Sequence, residues 1–464
     1  MTGALRDERI AGSGQGGPLG LLAAALVVGT FASTIANTLV NVPLAVMAAD
    51  LGTSLTSGTL IVVAFNLTCA VVLPFAGWLG DRIGRRRVFL LSMIGVTVGA
   101  IGAATAPTLP LLVAFRAVQG LSSALVLPTV LALLVAAAGP GRRGRAVSWW
   151  AAANGAGQAA GPTVGGVLTD VTGWRSVFLV IVPFAVLAFA GAWRWVPRTP
   201  PRVVGLDLAG ALSLSLGVAL VLVGASAVAP AGLGSPVVWL GTGLGALALV
   251  GFVLVERGRT APFVPPALLV EARFARSAVA ALCQMFCLTA TLLTVPLYLT
   301  SQAGSPSRTA GLLVVALPLA MTLLAPLSGM LTERASPRRA LCWGLAGLGA
   351  AELALAVVLG FGGSGPTSRI ALVAAVAVIG AAIAFTQTPA TAGATRSAQE
   401  ARSGSGLGVF NMLRFVGAAL GGAVVAVVVG DSPSGPGPFM VMALVCAAAA
   451  AAALLVTFLG RLPR

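Results

Sequence analysis

Long runs of apolar residues alternate with short polar or charged stretches along almost the whole chain. About 20 consecutive apolar residues in a helix cross the hydrocarbon core of a bilayer, and most of these runs reach that length. The pattern therefore predicts an all-α integral membrane protein with about fourteen transmembrane helices. The predicted spans are 19–47, 55–79, 88–106, 109–135, 145–169, 175–196, 205–228, 235–256, 274–300, 308–332, 339–361, 368–391, 403–429 and 438–459.

The composition agrees with this prediction. Of the 464 residues, 58% are hydrophobic and only 9% are charged, whereas soluble domains carry about 25% charged residues. The net charge of +16 alone would suggest a nucleic-acid partner, but the basic residues lie in short loops between apolar spans. We therefore expect a lipid bilayer and no nucleic acid as the partner of these residues. The first apolar run is too long for the core of a cleavable signal peptide.

The distribution of arginine predicts the topology. All 28 basic residues are arginines; with the N-terminus in the cytoplasm, 23 fall in inner loops or tails, three fall outside and two lie within spans. The positive-inside rule then places both termini in the cytoplasm and favours an even number of helices. Residues 1–18 are polar and rich in glycine, so we expect them to form a disordered cytoplasmic tail.

Two missing residue types exclude several kinds of chemistry. The chain has no lysine and no histidine, which excludes a Walker A phosphate loop, histidine proton relays and Ser-His-Asp triads. The five cysteines all lie in apolar spans, and the pair Cys283 and Cys287 has no histidine to complete a metal site. We expect these cysteines to be packing residues, and we expect neither enzymatic activity nor a metal or cofactor.

A charged stretch, Gly77–Arg87, separates the second and third spans. Its four arginines cannot lie in hydrocarbon, so it is predicted to be a tight hairpin at the membrane surface. Its glycines would allow a close helix contact and a sharp turn, and its aspartate could form a breakable salt bridge. The alternative is a positive-inside anchor without a moving part. The residues of this proposed gating hairpin are Gly77, Asp81, Arg82, Gly84, Arg85 and Arg86.

The hairpin has a second copy later in the chain. The pattern of Pro74–Arg87 returns in Pro326–Arg339, where Glu333 and Ser336 replace the aspartate and the second glycine and Arg334 matches the first arginine. Such a repeat predicts a duplicated bundle, and repeats around a central site are typical of secondary transporters. With six helices in each half, two helices remain between them. The predicted division is a tail 1–18, a first bundle 19–202, two inserted helices 203–258, a cytoplasmic linker 259–273 and a second bundle 274–464.

The fifth span carries glycines at a spacing of four residues. Gly157, Gly161 and Gly165 lie on one face of the helix, followed by Gly166, and form a groove without side chains. Pro162 removes a helical hydrogen bond and favours a bend. An ordinary packing seam between small residues remains the alternative interpretation.

Three charged residues lie within spans, where a charge costs about 3 kcal/mol or more. Arg116, followed by Gln119, is expected to face a cavity or a partner, unless its side chain extends to the interface. Glu352 and Arg414 are predicted at similar depth, where they could share a proton-coupling site or form a permanent structural pair. Further polar candidates for a substrate cavity are Asn37, Asn41, Asn66, Asn154, Gln284, Tyr298, Gln387 and Asn411.

These motifs resemble the major facilitator superfamily and its fourteen-helix drug:proton antiporter family. The hairpin resembles the signature between helices two and three, and the glycines around Pro162 resemble the antiporter motif of helix five. The sequence Arg116-Ala117-Val118-Gln119-Gly120 resembles the arginine motif of helix four. One departure is notable: Ala36 stands where this family usually has a coupling aspartate in helix one.

The resemblance implies a major-facilitator-type fold with two six-helix bundles and two inserted helices. It implies a monomeric exporter of amphipathic small molecules in a bacterial cytoplasmic membrane, driven by proton antiport and alternating access without a cofactor. Because the helix-one aspartate is missing, Glu352 becomes the main candidate for the coupling residue. The alternatives are a facilitator without proton coupling and a membrane sensor or scaffold that transports nothing.

Overall fold

The computed structural model describes residues 16–139, 143–201, 208–259, 262–334, 336–361, 365–401, 404–431 and 435–459. Every regular element within these ranges is a helix. Most of the predicted tail 1–18 lies outside the described residues, as do residues 203–207 of the predicted insertion and residues 260–261 of the predicted linker.

Residues 16–139 and 143–201 form nine helices. They are α1 (Gly16–Thr38), α2 (Leu44–Asp50), α3 (Leu55–Gly58), α4 (Leu60–Ile83), α5 (Arg85–Thr105), α6 (Leu109–Ala138), α7 (Arg143–Thr172), α8 (Arg175–Leu179) and α9 (Ile181–Trp195). Two helices that pack against each other follow, and α10 also packs against α4. They are α10 (Leu208–Ala231) and α11 (Pro236–Arg257).

The remaining helices of the described residues are two short ones, of five and eight residues, and longer apolar ones. They are α12 (Pro266–Val270), α13 (Ala272–Ser301), α14 (Ser307–Val314), α15 (Ala316–Arg334), α16 (Pro337–Phe361), α17 (Pro366–Glu400), α18 (Gly404–Val429) and α19 (Gly437–Leu459). The main contact between the two parts of the chain runs along α4 and α18, with further contacts of α7 with α14 and α15.

Thirteen helical segments of the described chain are long and apolar enough to cross a membrane. The continuous pairs α3–α4, α8–α9 and α14–α15 each form one such segment. The fourteenth long helix is α7, whose glycines and amides make it less apolar, and it packs inside the bundle against α1, α6 and α14. The predicted all-α membrane fold with about fourteen spanning helices is confirmed.

Two predicted span boundaries are wrong. The span predicted at 19–47 ends at Thr38, because Pro43 cannot continue a helix and instead precedes the separate helix α2. The span predicted at 368–391 continues to Glu400 in α17. Its last turns carry polar residues such as Thr391 and Thr395, which line a cavity, so the hydropathy of this segment underestimates its helical length.

Glycines of α7 bring neighbouring backbones together. A Cβ at Gly157 would lie 2.8 Å from Cβ of Thr34, and a Cβ at Gly161 or Gly165 would overlap residues at the end of α1. This face of α7 is therefore a packing seam against α1. Gly166 faces the backbone carbonyl of Ser307, which places the end of α7 directly against the start of α14.

Candidate functional site

The principal cavity lies between the two parts of the chain and has a volume of about 1030 Å³. Helices α1, α4, α6 and α7 line it from one side, and α13, α17 and α18 line it from the other. This volume lies at the upper end of the range common for small-molecule sites, about 300–1,000 Å³.

Six of the predicted polar candidates line this cavity. They are Asn37, Asn41, Asn66, Asn154, Gln387 and Asn411. The sequence analysis did not predict several other polar residues of the lining that lie one helical turn from a predicted one. Among them are Ser33, one turn before Asn37, and Gln158, one turn after Asn154. The Gln158 side-chain amide donates to Asn154 Oδ1 at 2.8 Å. Spacing of four residues on an otherwise apolar helix was the signal that could have found these positions.

Most of the remaining lining is apolar or aromatic. The larger side chains of this kind are Phe65, Leu73, Trp78, Leu127, Leu131, Trp150, Phe263, Met285, Leu288, Leu292, Leu407, Phe410 and Phe415. Such a surface buries the apolar body of a ligand, while the scattered amides and hydroxyls accept or donate hydrogen bonds. The cavity is therefore suited to amphipathic molecules.

The cavity extends to the end of the bundle that carries the Gly77–Arg87 hairpin. Gly77, Gly80, Asp81 and Arg85 line it there, and Ser405 lines it from α18. We call this the hairpin end and the other the distal end.

The two parts of the chain meet at the distal end through carboxylates that bind backbone. The Arg308 backbone N–H donates to Asp170 at 2.8 Å, and the Thr56 backbone N–H donates to Asp431 at 2.7 Å. The pKa of Asp431 is held below its usual value mainly by a hydrogen bond from the Thr56 side chain and, to a smaller extent, by the one from the Thr56 backbone. These contacts and the close approach of Gly166 to Ser307 join the two parts at that end.

The hairpin residues have distinct surroundings. Arg85 at the start of α5 forms an ion pair at 3.1 Å with Asp81 near the end of α4. Gly84 between the two helices adopts φ 93°, which favours glycine. Arg86 donates to the Trp193 carbonyl and stacks over its ring. Arg82 and, in the second copy of the hairpin, Arg334 are exposed, while the Glu333 side chain lies outside the described residues.

Arg116 is fully buried and does not line the cavity. It donates to the carbonyls of Ile61 at 3.1 Å and Ala36 at 2.8 Å, and its partner on the same helix is Gln119 Oε1 at 2.8 Å. Its guanidinium also lies over the Phe65 ring, 4.5 Å from the centroid. Arg116 and Gln119 thus join α6 to α1 and α4.

Glu352 and Arg414 have different partners in this structure. Glu352 is fully buried, accepts a hydrogen bond from Thr291 at 3.0 Å and has one oxygen without a described partner. Arg414 lines the cavity and donates to Asn411 Oδ1 at 3.3 Å. The two side chains therefore form no ion pair with each other in the described structure, and the proton-coupling role stays a prediction.

The surroundings of Glu352 include a cluster that sequence reading missed. Atoms of Cys287, Glu352 and Cys446 that can bind a metal lie within 4.8 Å of one another, in a buried position that does not line the cavity. The three residues come from α13, α16 and α19, so their distance in sequence hid the arrangement.

Two further predicted residues are not part of the cavity lining. Gln284 donates to Gln387 Oε1 at 3.2 Å and so supports a residue of the lining. Tyr298 packs edge-on against Phe439, 5.5 Å between ring centroids, in the distal part of the second half.

Sequence comparison identifies the family. The sequence model of the Major Facilitator Superfamily matches residues 26–255 and 277–464, which is nearly the whole chain. The chain belongs to the major facilitator superfamily. It is therefore a multi-pass membrane protein of a transporter family and not an enzyme, as the sequence predicted.

Proteins similar to this chain include two that are named for antibiotic resistance. The chain is 37% identical to the puromycin resistance protein pur8 of Streptomyces alboniger, over 53% of this chain and 48% of that protein. It is 31% identical to the methylenomycin A resistance protein of Bacillus subtilis, over 62% of each chain. The match thus spans about half of the pur8 length and less than two thirds of the methylenomycin protein.

The solved structures confirm the fold. The xylose transporter XylE from E. coli, in a partially occluded inward open conformation, matches with a TM-score of 0.64 over 96% of this chain and 100% of that one. At 12% identity the likeness concerns the fold alone. The major-facilitator-type architecture is therefore confirmed by sequence and by structure.

Proposed function

We propose that this superfamily member exports amphipathic small molecules from the bacterial cytoplasm in exchange for protons. The observation that supports this most directly is the cavity of about 1030 Å³ between the two parts of the chain, with its mixed polar and apolar lining. The names of the relatives, which confer resistance to puromycin and to methylenomycin A, favour antibiotics as cargo.

The asymmetry of the two ends supports alternating access. The cavity extends to the hairpin, for which the positive-inside rule predicts a cytoplasmic position, while Asp170 and Asp431 join the halves at the distal end. We propose that the distal contacts break as the hairpin end closes, so that the same cavity faces the opposite side of the membrane.

Glu352 is our proposed carrier of the coupled proton. It is a buried carboxyl group with Thr291 as its hydrogen-bond donor and without an ion-pair partner in the described part of the chain. A charge without compensation is costly in such surroundings, so proton release would require water or a cation to reach it during the transport cycle. The energy source would be the proton gradient, with no cofactor and with a single chain as the transporting unit.

The test uses purified protein in liposomes that contain a pH-sensitive dye. Puromycin, methylenomycin A, fluorescein and rhodamine 123 are added as probes under an imposed pH gradient. We expect that adding at least one probe causes protons to leave the liposomes through the normal protein. Glu352→Gln should abolish this release yet retain exchange of labelled probe without a gradient, while Glu400→Gln, which changes an exposed carboxylate, should behave like the normal protein.

An uncoupled facilitator remains the second candidate, because Ala36 replaces the aspartate expected from the resemblance. Its backbone carbonyl binds Arg116, so this helix-one position offers no titratable group. If the normal protein exchanges probe but the pH gradient neither drives transport nor collapses, the facilitator is correct and the proposed proton coupling is wrong.

A further inference from the structure

The charges that line the cavity are unevenly distributed. Among the described residues of the lining, the charged side chains are Asp81, Arg85 and Arg414. Asp81 and Arg85 form an ion pair at the hairpin end and so offset each other. Arg414 has no carboxylate partner in the described part of the chain, which leaves its region of the cavity with a net positive charge.

The contacts of Arg414 leave most of its hydrogen-bonding capacity unused. It donates to Asn411 Oδ1 at 3.3 Å and to the Met285 sulfur at 3.8 Å, both long and weak contacts. Its Nε is buried without an acceptor. A guanidinium has five N–H donors in a planar arrangement that suits two oxygens of a carboxylate or a similar anion.

Arg116 has closer hydrogen-bond partners than Arg414, although its Nη2 is also buried without an acceptor. It donates to two backbone carbonyls and to Gln119 over distances of 2.8 to 3.1 Å, and it is fully buried away from the cavity. Arg414 instead lies in the cavity wall with two weak contacts. A cation within the membrane is costly, and an anion that enters the cavity would provide the missing compensation.

We propose that the cavity selects amphipathic anions, with Arg414 binding the anionic group. Phe410 and Phe415 of the same helix and Leu288 of α13 line the cavity as well, so an apolar body can pack there while its charge reaches the guanidinium. This inference rests on the proposed function, since it takes the cavity as the binding site of the exported molecule. Lipophilic cations are disfavoured, because the one carboxylate among the described lining residues is already paired at the hairpin end.

Two dyes of opposite charge test this selectivity. Fluorescein is an anion and rhodamine 123 is a cation at neutral pH, and both share a xanthene ring system. Binding of each dye to the purified full-length protein in detergent is measured by fluorescence polarisation. The variants are Arg414→Gln, which removes the charge, Arg414→Lys, which keeps it, and Arg396→Gln, which removes a charge from the exposed surface.

We expect the normal protein to bind fluorescein at least about tenfold more tightly than rhodamine 123, the effect of one charged hydrogen bond. Arg414→Gln should weaken fluorescein binding about tenfold without weakening rhodamine 123, and Arg414→Lys should retain most of the preference. Arg396→Gln should match the normal protein. Binding in the cavity should also resist added salt, unlike attraction to the exposed arginines of a chain whose net charge is +16.

Three results would overturn the inference. They are tighter binding of the cation, equal binding of both dyes, or an equal loss of both dyes in an Arg414→Gln protein that unfolds at the normal temperature. Because binding in detergent needs no gradient, this test is independent of transport. Anion binding that depends on Arg414 without any export would contradict only the proposed function, while proton-coupled export of cations alone would contradict only the anion preference.

Discussion

Arg86 and Arg338 occupy equivalent places in the two repeated hairpins, and each donates to the carboxyl end of a different helix. Arg86 donates to the carbonyl of Trp193 in α9, and Arg338 donates to the carbonyls of Thr457 at 3.2 Å and Phe458 at 2.8 Å in α19. The last carbonyls of a helix lack partners within the helix and carry its partial negative charge. The repeated hairpin therefore caps one helix end in each half.

Replacing Arg338 should destabilise the second half. Arg338→Gln removes the charge and shortens the side chain, so the two carbonyls of α19 lose their donor. We expect a loss of about 1 to 3 kcal/mol, seen as a lower Tm of the purified protein. The neighbouring Arg339→Gln, at an exposed position, is the control. Equal Tm values for the two variants would contradict the capping role.

Arg116 should matter for stability far more than Arg414. Arg116→Met removes the donor to Ile61, Ala36 and Gln119 and leaves buried acceptors without a partner, at a cost of about 3 kcal/mol or more. Arg414→Met removes only two weak contacts and should change Tm much less. Both effects are measured by the Tm and by the ratio of folded to aggregated protein in size-exclusion chromatography. A larger loss from the Arg414 variant would show that we have assigned the two arginines wrongly.

A methyl group at Gly166 should prevent closure of the distal end. The added Cβ would overlap the Ser307 carbonyl, so Gly166→Ala must separate α7 from α14. Spin labels are placed at the exposed positions Val171 and Phe361 of a protein without cysteines, and electron paramagnetic resonance measures the distance between them. This distance should increase, or its distribution should broaden. Gly251→Ala is the control, because a Cβ there meets nothing within 4 Å. Unchanged distances in the Gly166 variant would show that the helices are not pressed together there.

The Asp431 contact should be independent of pH over the physiological range. Because the pKa of Asp431 is lowered, its contribution is complete above the usual aspartate pKa and is lost only as the pH falls through the lowered value. Asp431→Ala should therefore lower Tm by the same amount between about pH 5.5 and pH 8. An effect that disappears toward pH 5.5 would mean that this carboxylate takes up a proton there and competes with Glu352 as the coupling group.

The sequence alone determined the membrane character, the helices and the duplication. A bilayer imposes a local rule, since each crossing segment must be apolar and must satisfy its own backbone, and that rule can be read one segment at a time. The arginine hairpins and the repeat between them were equally visible, because charge is excluded from hydrocarbon. The predicted ends of the spans were less accurate where polar residues such as Thr391 continue a helix beside a cavity.

Only the tertiary structure decided which side chains face the cavity and which face a neighbouring helix. Helices that are apolar on nearly every side show little amphipathic pattern, so their inward faces cannot be read from hydropathy. Arg116 and Arg414 look alike in sequence, yet one is enclosed by three acceptors and the other lines the cavity with weak contacts. Likewise, Glu352 lies beside Cys287 and Cys446 only because α13, α16 and α19 pack together. Packing between segments that are distant in sequence produces no recognisable pattern within any one of them.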